Sequence, residues 1–97
     1  GLMVDLRDRY AITSNRESGF GRYDIVLMPK GETDDAIIIE FKVYDAEDEK
    51  DLKDTVVSAL AQIEEMRYEE GIVAQGIPTE RIRKYGFAFE GKRVLIG

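Results

Sequence analysis

Residues 36–43, Ala36-Ile37-Ile38-Ile39-Glu40-Phe41-Lys42-Val43, decide the fold. Three consecutive isoleucines followed by Phe41 and Val43 favour extended backbone, where β-branched and aromatic side chains pack well. The nearly unbroken apolar run predicts a central strand buried on both faces. Successive side chains of a strand alternate, so Glu40 and Lys42 share one face while Ile39, Phe41 and Val43 share the other. Burying an unpaired carboxylate or ammonium costs several kcal/mol. The two charges must therefore be compensated, by each other or by a metal. Taken alone, the Glu-x-Lys pair fits a salt bridge at the solvated end of the strand equally well.

Upstream, Lys30-Gly31-Glu32-Thr33-Asp34-Asp35 is a polar connection of hairpin length, preceded by a strand from Arg22 to Met28 that Pro29 ends. If that strand runs antiparallel beside residues 36–43, Asp24 comes to Glu40, and two carboxylates and a lysine converge. A first strand is expected from Tyr10 to Ser14, followed by the glycine turn Ser18-Gly19-Phe20-Gly21. The opening Gly1-Leu2-Met3-Val4-Asp5-Leu6-Arg7 reads as the last turns of a helix cut short by the start of the sequence.

Downstream, the acidic stretch Asp45 to Glu49 suits a helix N-terminus. Apolar residues then recur at Leu52, Val56, Leu60, Ile63 and Met66, predicting one long amphipathic helix that ends near Gly71. A loop with Gly76 and Pro78 and a short turn at Glu80 to Ile82 follow. Tyr85-Gly86-Phe87-Ala88-Phe89 alternates large with small, as a strand under a helix does, and its aromatics are expected in the core. Glu90-Gly91 signals a turn into a partner strand, Arg93 to Ile96. The expected class is α/β, a mixed sheet with helices packed on it.

Composition narrows the chemistry. Ninety-seven residues make one domain with one small core, and no apolar run approaches the roughly 20 residues that span a bilayer. With neither cysteine nor histidine, disulfides, thiolate zinc sites, Ser-His-Asp triads and imidazole ligands are excluded, and a cytoplasmic location is the default expectation. The net charge of -6 counts against gripping nucleic acid through a broad basic surface, but clustered carboxylates are what a hard cation needs. Two carboxylates on adjacent strands supply oxygen ligands to Mg²⁺, which activates water and offsets charge at phosphorus. A neighbouring lysine orients the attacking water, stabilises the transition state or serves as base.

Asp24 followed by Glu40-Phe41-Lys42 resembles the PD-(D/E)xK motif of the restriction-endonuclease-like nucleases. The segments SNRESGFGRYDIVL (14–27), IIIEFKV (37–43), ALAQI (59–63) and YGFAFEGKRV (85–94) are similar to the PD-(D/E)xK domain that follows an ATPase-like domain in bacterial and archaeal proteins. The resemblance implies a restriction-endonuclease-like mixed sheet flanked by helices, its first helix truncated here. It implies Asp24 and Glu40 as ligands of Mg²⁺ or Mn²⁺, the Phe41 carbonyl as a third, and Lys42 as the catalytic lysine. Glu17 is a further candidate acid, with a surface pairing to Arg16 or Arg22 an equal alternative. Gln62 and Tyr68 look like the helical glutamine and tyrosine of related exonucleases, placing lysine or substrate. Tyr23 stands where the motif's name has proline. Implied partners are DNA and an ATPase-like domain; a homodimer is a further expectation if the missing helix bares an apolar strip. A binding module that keeps the fold without the activity is the alternative.

Overall fold

The structure is a computed structural model that describes residues 9–16, 22–31 and 34–97. Among the described residues, five strands form one mixed sheet in sequence order: β1 (Tyr10–Arg16), β2 (Arg22–Pro29), β3 (Ala36–Val43), β4 (Ile82–Glu90) and β5 (Arg93–Ile96). Neighbours pair antiparallel except β3 and β4, which are parallel. A parallel pair needs a crossover. Here it consists of α1 (Leu52–Glu65), α2 (Tyr68–Ala74) and a 3₁₀ turn (Thr79–Arg81). The expected β3 has the observed bounds, and β1 and β2 run slightly longer than expected. The proposed helix remnant over Gly1 to Arg7 and the glycine turn at 18–21 lie outside the described residues.

Burial along β3 alternates. Ala36, Ile38, Glu40 and Lys42 are buried beneath the helices, whereas Ile37, Ile39 and Phe41 are half-buried and Val43 is exposed. The strand is therefore not buried on both faces as its composition predicts, because both described helices cover the same face. The aromatics of β4 share that correction. Phe87 and Phe89 are half-buried and Tyr85 is exposed, on the face opposite α1, where Phe41 stacks with Tyr23 at 4.5 Å and tilts against Phe87 at 5.0 Å.

The small residues of β4 explain how α1 sits. A Cβ on Gly86 would lie 3.0 Å from the Val56 carbonyl oxygen and 3.1 Å from Ala59 Cβ, so glycine lets the helix come down onto the sheet. Two apolar clusters result. Val26, Ala36, Ile38, Ile63 and Ile72 fill one, while Leu52, Val56 and Ala88 form the other.

Two helical expectations are corrected. The acids at 45–49 precede α1 in a loop instead of forming its first turn; Asp51 is the N-cap, its carboxylate accepting from the Asp54 N–H at 3.1 Å. The helix also does not continue to Gly71. It ends at Glu65, and Arg67, in the left-handed region at φ 56°, turns the chain into α2. That turn folds Ile72 back into the first cluster. At the other end of the sheet, Gly91 takes φ 58° in the turn joining β4 to β5, as Glu90-Gly91 foretells.

Candidate functional site

In the β2–β3 register Asp24 stands directly opposite Glu40, and in the β3–β4 register Glu40 stands opposite Gly86. Residues directly opposed on antiparallel strands bring their Cβ atoms to about 5 Å, and like charges there repel. Both carboxylates are fully buried, at 0% exposure. Asp24 Oδ2 accepts a hydrogen bond from the Tyr68 hydroxyl, whereas Asp24 Oδ1 is buried without a hydrogen-bond partner. Both carboxylate oxygens of Glu40 are closed off from solvent. Gly86 lies beneath α1 at this row, so the helix passes close over the sheet beside Glu40.

Two residues further along β3, on the same face, Lys42 is also buried, and its ammonium donates to Glu49 Oε2 at 2.5 Å. Glu49 Oε1 accepts from the Asp45 N–H at 2.8 Å and from the Thr55 hydroxyl at 2.9 Å. Burial pushes the Glu49 carboxyl up, but the hydrogen bonds from Lys42, Asp45 and Thr55 and the Lys42 charge outweigh it. The group is held below the ordinary carboxylate range.

Asp24, Glu40 and Lys42 thus share one face of two neighbouring strands. Tyr68 reaches Asp24 from the start of α2. Gln62 is half-buried on α1, seven residues from Thr55, on the stripe that faces the sheet. The Phe41 ring lies on the other face, stacked with Tyr23, so only its main-chain carbonyl remains a candidate ligand. Glu17 lies outside the described residues, as do the side chains of Arg16 and Arg22. Arg81 and Lys84 tie elements together. Arg81 donates to the Asp34 carbonyl, and Lys84 bridges Glu64 at 2.6 Å and Glu69 at 3.2 Å.

Glu49 and Thr55 escape the sequence reading. Nothing in an acidic run separates Glu49 from Asp45, Glu47, Asp48 and Asp51. Thr55 did carry a signal, because it occupies the buried stripe of α1 together with Leu52, Val56, Ala59 and Ile63. A hydroxyl on such a stripe needs a partner.

The donor set fits a hard divalent cation: two opposed buried carboxylates with one oxygen lacking any partner. Among the described residues no group of three or more His, Cys, Asp or Glu side chains gathers as a metal cage. Main-chain oxygen, water or phosphate would complete the shell. Among those residues, too, no helix is long and apolar enough to cross a membrane.

A family model described as the PD-(D/E)XK nuclease superfamily matches residues 2–97. No curated protein and no solved structure matches the chain. The match spans the motif residues and the mixed sheet that carries them, and the chain belongs to the PD-(D/E)XK nuclease superfamily.

Proposed function

We propose that this chain is a nuclease that hydrolyses DNA phosphodiester bonds with Mg²⁺ or Mn²⁺. The observation that carries the reading is the buried, directly opposed Asp24–Glu40 pair with Lys42 on the same face. A divalent cation held by Asp24 and Glu40, with the Phe41 carbonyl as a further oxygen, supplies an activated water and offsets charge at phosphorus. The chain's own residues do the rest. Tyr68 fixes Asp24 so that Oδ1 is left for a ligand. Lys42 has three ammonium hydrogens, one engaged by Glu49, and offers donors to the attacking water or a phosphate oxygen. Gln62 orients the lysine or the substrate from α1, and α1 keeps bulk water from the carboxylates, which strengthens every charge interaction there.

In this reading the partners are DNA, an ATPase-like domain of a longer polypeptide and a second copy of the chain, in the cytoplasm. A second reading, a silent nuclease-fold module acting through an attached ATPase, draws on the charge distribution. Arg9, Arg83, Lys84 and Arg93 all pair with acids, and the net charge is -6, which leaves little basic surface for phosphates.

Cleavage of labelled single- and double-stranded DNA in Mg²⁺ or Mn²⁺ separates the two. The nuclease reading expects cleavage that Glu40→Ala reduces at least about 100-fold. Absence of cleavage, or equal cleavage by Glu40→Ala, leaves the module.

A further inference from the structure

Five acids crowd residues 45–51, yet their side chains part company: Glu49 alone is buried. The others serve the loop or face solvent. The Asp45 carboxylate accepts from the Glu47 N–H at 3.0 Å, and the Asp45 carbonyl accepts from the Glu49 N–H at 2.9 Å. Tyr44, at the end of β3, donates its hydroxyl to the Glu49 carbonyl at 3.0 Å. Main chain on both sides of Glu49 is thereby fixed, and its side chain is aimed under α1 at Lys42.

Stability alone gives this pair little reason to exist. The side chains of Lys42 and Glu49 are 10% and 5% exposed. Removing two charges from water offsets most of their attraction, and an apolar pair of similar volume is commonly as stable. What a buried, hydrogen-bonded carboxylate supplies is direction. Lysine is a flexible four-carbon stem ending in a point charge, and it is placed only by what anchors it. Both lone pairs of Glu49 Oε1 are engaged by the Asp45 amide and the Thr55 hydroxyl, while Oε2 takes Lys42. Three hydrogen bonds from three directions hold the Glu49 carboxylate, a geometry that suits an anchor for the lysine.

We propose that Glu49, itself held by Thr55, is the positioning residue for Lys42, fixing the ammonium beside the Asp24–Glu40 pair with its two remaining hydrogens directed to the reacting phosphate or water. The inference rests on the nuclease reading for its chemistry, and on the hydrogen bonds alone for its geometry. Pre-fixing the ammonium removes rotamer freedom that would otherwise be lost in the transition state.

The test has two arms on the full chain. In the first, ¹⁵N-lysine-labelled, metal-free protein is observed by NMR at the ammonium nitrogens, and the Lys42 signal is assigned by its loss in Lys42→Met. Its hydrogens are expected to exchange with water at least about tenfold more slowly than those of exposed Lys53, with that protection lost in Glu49→Gln and reduced in Thr55→Val. In the second, DNA cleavage in Mn²⁺ is expected to show kcat lowered about tenfold or more by either variant, with KM for DNA and the Mn²⁺ affinity changed less than about twofold. Glu49→Asp, which keeps the charge, is expected to recover part of the loss. Thr55→Val removes only a hydroxyl and keeps the question open to an answer should Glu49→Gln fail to fold.

Fast exchange of Lys42 in the unaltered protein overturns the proposal, as does an unchanged kcat in both variants. A Mn²⁺ affinity that falls in step with kcat also overturns it, making Glu49 a ligand. An unaltered chain that cuts no DNA removes the nuclease reading, while the exchange arm still decides whether Glu49 anchors Lys42.

Discussion

Asp24 uses its two oxygens differently. The Tyr68 hydroxyl occupies Oδ2 and leaves Oδ1 buried and unbonded, an arrangement that costs stability unless something positive comes to it. Groups that orient a metal ligand typically matter 10- to 100-fold in affinity. Tyr68→Phe is therefore expected to weaken Mn²⁺ binding about tenfold, read by calorimetric titration. Glu49 makes a separate prediction, for pH. Its folded carboxyl is held below the ordinary value of 4.5, so its contribution to stability is complete above that value and is lost as pH falls through the lowered one. At pH 7, Glu49→Gln should destabilise the protein by about 3 kcal/mol, because Lys42 is left buried without its counter-charge. Denaturant titrations across pH should show the gap closing below pH 4.5. Glu40 and Lys42 were legible because charges in an isoleucine-rich strand are conspicuous; Glu49 was not, because its burial depends on a loop conformation that the surrounding acids conceal.

At the scale of elements, strands were read well because alternation and turn residues are local signals. The bounds of β3 follow from its own side chains, and the β4–β5 turn from Gly91. The break between α1 and α2 was hidden because the apolar spacing runs on through Met66 and no proline or glycine marks it. A left-handed arginine costs on the order of 1 kcal/mol, and burial of Ile72 at 3% exposure offsets it. The break also places Tyr68 at the first position of α2, within reach of Asp24. The contact of α1 with β4 depends on Gly86 having no side chain. Gly86→Ala would set a methyl against the Val56 carbonyl and Ala59, forcing the helix outward over Glu40. Chemical denaturation should register a loss of about 1–3 kcal/mol, and a neutral result would mean that α1 yields freely.

At the scale of the molecule, both described helices cover the same face of the sheet, and the buried charged residues Asp24, Glu40 and Lys42 lie on that covered face with the two apolar clusters. Composition predicted burial for β3 but could not say which face would be covered, since Ile37 and Ile39 are as apolar as Ile38. Ion pairs hold Arg9, Arg83, Lys84 and Arg93 at the surface. The central claim is that Asp24 and Glu40 together hold a divalent cation. Calorimetric titration of the metal-free chain with Mn²⁺ tests it most directly. The prediction is one binding event, roughly in the micromolar to millimolar range, lost in both Asp24→Asn and Glu40→Gln while the circular dichroism of the fold is retained. No binding by the unaltered chain, or binding that survives both substitutions, would contradict it.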